Sequence, residues 1–70
     1  MHTHTSTKAN ATKIKNVIDR LANADCAIIR DCGSYRIADN SVSGSVFSRV
    51  RDLIENGCKP SEITLEDVTQ

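Results

Sequence analysis

Aromatic residues are nearly missing from this chain of 70 residues, which holds one Tyr, one Phe and no Trp. Aromatic side chains bury the most area per residue, so the core must be aliphatic and small, and its stability marginal. Proline occurs once and glycine three times, too rarely for a collagen-like or low-complexity chain. Neither sign of charge is in excess. The formal net charge is zero, with 26% charged and 39% hydrophobic residues, a balance that fits a globular chain rather than a disordered one. No apolar run approaches the roughly 18 residues of a membrane span. The opening residues, Met1-His2-Thr3-His4-Thr5-Ser6-Thr7, lack the apolar stretch of a signal peptide. The expectation is one small domain, cytoplasmic and without membrane contact.

Enzyme signatures are also missing. The chain has no G-x-x-x-x-G-K-[ST], no G-x-G-x-x-G and no H-E-x-x-H, so the phosphate cradle, the dinucleotide turn and the two-histidine zinc helix are excluded. The only histidines are His2 and His4, in a stretch with no apolar anchor, so no ordered base stands ready for a cysteine nucleophile. A domain of this size also has little room to enclose a pocket of several hundred Å3. The chain reads as a non-enzyme with no cofactor. Its cysteines are Cys26, Cys32 and Cys58, an odd number that points to reduced thiols. Zinc held by these cysteines with His2 and His4 is the alternative. The five-residue gap between Cys26 and Cys32 is not a C-x2-C knuckle, and no metal is expected.

What is present is periodicity. Residues 1–9 read as a disordered tail, and residues 10–70 as the domain. A first helix is predicted over about residues 10–23, capped by Asn10 or Thr12, because Ile14, Val17, Ile18 and Leu21 recur at i, i+3, i+4 and i+7. Asn23 and Asp25 stop it. Residues 26–31 and 35–38 follow as a β-hairpin around Cys32-Gly33-Ser34, a loop of three to four residues. Tyr35 and Ile37 share one face of the second strand. Ile28 and Ile29 are adjacent, so only one of them can face the helices. A second helix starts at Ser43 as N-cap, with Val42 and Phe47 in the two positions of a hydrophobic staple. Its stripe is Val46, Phe47, Val50, Leu53 and Ile54, and Asn56-Gly57 ends it. Residues 62–66 alternate apolar and polar, which predicts a short third strand; a helical turn capped by Ser61 is the alternative. Ile63, Leu65 and Val68 complete the candidate core. The whole is an α+β fold, helix–hairpin–helix with a short third strand, two helices covering one face of a small antiparallel sheet.

Charge is unevenly distributed along this neutral chain. Residues 1–51 hold eight Lys or Arg against four Asp, a net charge of +4, and residues 52–70 hold one Lys against five acids, a net charge of −4. A basic body suits nucleic acid. It equally suits attraction between the two halves of the chain, or between two copies. Helix 2 presents Ser45, Ser48, Arg49 and Asp52 outward, and the hairpin presents Arg30 or Asp31 together with Arg36. Acids within this set repel phosphate, and mixed charge fits a protein partner. The two helices are separated by a hairpin and not by the short turn of a helix-turn-helix. The aromatic pairs of an RNA-binding sheet are missing too.

The run Gly33-Ser34-Tyr35-Arg36-Ile37-Ala38, then Val42-Ser43, Val46, Val50, Leu53 and Gly57, resembles short reading frames of bacteriophages and prophages. The resemblance spans about residues 12–57. It implies a mobile-element origin and action by binding in a bacterial host, either as an anti-defence or host-takeover inhibitor or as a small regulator. It transfers no functional residue. The sequence-based expectation is therefore a protein-binding module, a homodimer being one possibility, with a small DNA-binding regulator as the alternative. Arg30, Arg36, Ser45, Ser48, Arg49 and Asp52 are the candidate contact residues.

Overall fold

Threonine and histidine alternate at the N-terminus, and this stretch is a strand. In the computed structural model, which describes residues 1–69, β1 runs over His2–Thr5 and is followed by α1 over Lys8–Ala22. Gln70, the last residue of the expected 10–70 domain, lies outside the described residues. The expected disordered tail at residues 1–9 is thus corrected. Thr3 and Thr5 are buried, each 4% exposed, while His2 and His4 point the other way. No apolar residue announces this strand. Its free energy comes from pairing with distant backbone and from covering the core with threonine methyls.

The rest of the sheet is a hairpin, β2 over Ala27–Asp31 and β3 over Ser34–Ala38. Its loop is two residues, shorter than expected. Cys32 and Gly33 take φ of 50° and 85°, the doubly left-handed backbone that matches the twist of a tight hairpin. The strand order is β1-β3-β2, with both pairings antiparallel. Ile28 pairs with Ile37 on the helix side, and Ile29 pairs with Arg36 on the open side. This settles the choice between the two isoleucines: Ile29 remains 39% exposed.

Thr7 caps α1, its hydroxyl accepting the Asn10 N–H at 3.2 Å. The cap expected at Asn10 or Thr12 moves forward because Ala11 extends the buried stripe one turn earlier, joining Ile14, Val17 and Ile18. Asn23 closes the helix in the left-handed region. The second helix, α2, spans Gly44–Glu55 with Ser43 extended before it. Val42 and Phe47 are both buried, as the staple requires. At the far end Gly57, at φ 93°, lets the Cys58 N–H reach the Leu53 carbonyl at 3.0 Å and its own N–H reach Ile54 at 3.1 Å. That double bond is a Schellman closure.

The expected strand over residues 62–66 is absent. Pro60–Glu62 form a 3-10 turn, and Leu65–Thr69 form a short helix, α3. The third strand of the sheet is β1 instead. Local chemistry explains the difference: Asp67 accepts the Thr64 N–H at 2.9 Å and the Thr64 hydroxyl at 3.1 Å, and a carboxylate that reaches back to the residue before the first turn favours a helix start. Leu65 is 55% exposed, whereas Ile63 and Val68 are buried.

Both helices lie on one side of the sheet and pack against each other. Phe47, Ile14, Ile18, Ile37, Ile63, Val17 and Val50 form the sealed centre. Ala11 and Cys26 belong to the core as well, and Leu21, Ile28, Tyr35, Val46 and Leu53 pack around its edge. No helix among the described residues is long and apolar enough to cross a membrane.

Asp19 ties α1 to the start of β2. Its carboxylate accepts the Cys26 N–H at 2.8 Å and pairs with Lys15 one turn earlier. Partial burial raises the Asp19 pKa, but the bonds from Lys15 and Cys26 outweigh it and hold the carboxyl below its ordinary 3.8. A folded-state value below the unfolded one contributes stability above about pH 4, and that contribution disappears as pH falls through the folded value. Asp19→Asn should therefore cost about 1 kcal/mol at pH 7 and less at pH 3. Urea midpoints of the two proteins at both pH values measure this; an equal cost at both would show that the charge of Asp19 contributes nothing.

Candidate functional site

All the candidate residues but Arg30 fall on two separate surfaces. The first is a groove between α2 and α3, about 540 Å3 in volume, lined by Ser43, Ser45, Val46, Ser48, Arg49, Asp52, Val68 and Thr69. Four of the six expected contact residues, Ser45, Ser48, Arg49 and Asp52, meet here. Helical geometry accounts for this, since positions 45, 48, 49 and 52 lie three and four apart on one face. Ser43, Val46, Val68 and Thr69 were not among the candidates. Val68 and Thr69 reach the groove only because the C-terminal segment is helical rather than a strand. The Ser61-capped turn, kept as the alternative, was the nearest signal for it.

The groove is held open by backbone contacts. Arg49 donates Nε–H to the Asp67 carbonyl at 2.9 Å, which fixes α3 beside α2 and orients the guanidinium. The Thr64 N–H and hydroxyl hold the Asp67 carboxyl below its ordinary value, so the cap on α3 remains anionic at neutral pH. Asp52 pairs with its neighbour Arg51 at 3.0 Å and is exposed. Val46 and Val68 supply apolar lining, Ser43, Ser45 and Ser48 supply hydroxyls, and Arg49 and Asp52 supply opposite charges.

The second surface is the open face of the sheet. In the register of the three strands, His4, Arg36 and Ile29 form one row, and His2, Ala38 and Ala27 the next. The His2 and His4 rings meet edge to face with centroids 5.1 Å apart. Both histidines are thus placed by a strand, contrary to their expected position in a tail. The Arg36 stem lies along this face, and its Nε is buried without a partner. Arg30 shares neither surface: it projects from β2 toward the helix side of the sheet, at an exposed end. The structure therefore separates Arg30 and Arg36 from the four residues of the groove.

The basic residues are partly used within the molecule. Arg20 donates to the carbonyls of Pro60 at 2.9 Å and Ile63 at 2.7 Å. Lys15 pairs with Asp19 and Asp25. The Arg20 bonds, together with Arg49 on the Asp67 carbonyl, bind the basic body to the acidic end, whereas the Lys15 pairs stay within the basic body. Burial, then the neighbouring Asp19, pushes the Cys26 thiol up to about 12, so it stays protonated and unreactive. Cys32 and Cys58 are exposed free thiols. Among the described residues, no three His, Cys, Asp or Glu side chains cluster where a metal could be held.

Comparison of the chain with protein-family models, curated proteins and solved structures finds no match.

Proposed function

We propose that this chain is a non-enzymatic protein-binding module that engages a bacterial host protein through the α2–α3 groove and inhibits or modulates the complex to which that protein belongs. One observation carries the reading. An apolar strip, Val46 and Val68, is bordered within one groove by hydroxyls and by the opposite charges of Arg49 and Asp52. Apolar contact supplies affinity. Charges of both signs fix register and penalise wrong partners. A peptide segment with an apolar anchor between an acid and a base is the complementary ligand. The phage-like run at residues 33–57 is the reason for placing the partner in a bacterial host. Phosphate would meet Asp52 in this groove, and Arg20 and Lys15 already have partners, which weighs against a DNA-binding regulator.

The test compares the wild-type protein with Asp52→Lys and Ser48→Glu in pull-downs from bacterial lysate, with folding checked by circular dichroism. Both residues are exposed, and such substitutions usually change stability by no more than about 0.5 kcal/mol. A protein retained by the wild type should be bound about tenfold more weakly by each variant, or about 1.4 kcal/mol. Retention that is unchanged in both variants would remove the groove from consideration. Duplex DNA bound at about 50 mM salt with a log K against log salt slope of several units would favour the regulator instead.

A further inference from the structure

The free edge of β2 is self-complementary, and we infer that it pairs antiparallel with the β2 of a second copy to form one six-stranded sheet. Backbone direction leads to this. Asp39 and Met1 exchange two hydrogen bonds, at 3.0 and 3.1 Å, so Ile37 and Tyr35 direct their peptide groups toward β1 in the alternating antiparallel pattern. Ser34, Arg36 and Ala38 then bond to Asp31, Ile29 and Ala27 of β2. This leaves the N–H and C=O of Ile28 and Arg30 pointing away from the sheet. The strand has no proline, no bulge and no covering helix, and only its shortness and the charges of Arg30 and Asp31 guard the edge. Ile29, midway between Ile28 and Arg30, is a large apolar side chain 39% exposed.

Only one register uses all of these groups. With the two-fold axis through Ile29, Ile28 of each copy faces Arg30 of the other, and both pairs exchange two backbone bonds. Ile29 then lies beside its own copy, and both helix layers fall on the same side of the sheet. Sliding two residues toward the turn sets Arg30 directly opposite Arg30 and Ile28 opposite Cys32, which is left-handed. Sliding the other way sets Arg30 opposite Cys26, whose N–H already belongs to Asp19. The opposite edge, β1, offers no equivalent gain. Its side chains are Thr and His, and α2 reaches that side, where the Thr5 hydroxyl donates to Glu55 at 2.9 Å. A five-residue edge covers less than the roughly 1,200 Å2 of a stable interface, so the dimer is weak and concentration-dependent. This association is independent of the groove.

Two experiments on pure protein test it. Opposed residues that do not exchange hydrogen bonds have Cα atoms about 4.5 Å apart, within disulfide range. In a Cys32→Ser, Cys58→Ser background, Ile29→Cys should cross-link at least about tenfold faster than Lys13→Cys, an exposed helix control. Sedimentation from about 10 µM to about 1 mM should show a monomer–dimer equilibrium. Arg30→Pro, whose missing N–H is one that points away from β3, should abolish that equilibrium and leave the monomer folded. A monomer throughout the range, cross-linking no faster than the control, or a dimer indifferent to Arg30→Pro would each overturn the inference.

Discussion

Removing residues 2–6 should unfold this domain or bring it to the edge of unfolding. Thr7, the cap of α1, is retained in that deletion, so the helix start is spared. What goes is β1, with Thr3 and Thr5 buried at 4% exposure each and four residues in register with β3. Its loss strips the backbone partners from Tyr35 and Ile37 on one side of β3, turns the central strand into an edge and opens Ile37, now fully buried. Each net backbone hydrogen bond contributes about 1 kcal/mol, and typical stability for a chain of this size is roughly 4–10 kcal/mol. A loss of several kcal/mol is therefore comparable to the whole. Thermal unfolding followed by circular dichroism decides the matter: a melting temperature within a few degrees of wild type would mean that the N-terminal segment is not part of the fold.

Phe47→Ala should be equally disruptive. Phe47 is fully buried and is the largest side chain in the core. As the only phenylalanine in a chain without tryptophan, it fills space that no neighbour can close. Truncations of this kind cost about 3–5 kcal/mol, most of the stability available here. Urea denaturation should show either no cooperative transition or a greatly reduced midpoint. Leu53→Ala, at the partly buried margin of the same helix, should cost less. If the two variants were equally stable, the helix would be rotated from its observed phase.

The two long helices, α1 and α2, were readable in the sequence to within a few residues at each end. In α2, Val42, Ser43, Phe47 and Gly57 each carry a local signal, and all four occupy the positions those signals predict. The α2 wall of the groove followed from the same phase, since Ser45, Ser48, Arg49 and Asp52 share one face whatever lies across from them. The cap of α1 was misplaced by a few residues because Ala11, a small side chain, gives little hydrophobic signal yet is fully buried. Arg30 or Asp31 was expected beside Arg36, and the register puts Asp31, not Arg30, on the face of Arg36: even spacing along the chain does not guarantee one face once a two-residue turn reverses it.

What the sequence determined by itself was the α+β class, the two amphipathic helices, the hairpin and most of the core, because each depends on contacts within about a turn of helix or across one short loop. Only the tertiary structure decided the identity of the third strand and the fate of the C-terminus. His-Thr-His-Thr has no apolar periodicity and becomes a strand through bonds to residues 35–39, thirty or more positions away. Ile63-Thr-Leu alternates as a strand would, but with β1 and β2 already flanking β3 in the sheet and Asp67 capping Thr64, helix was the lower free-energy state. In both places the local preference was weak, and long-range pairing outweighed it.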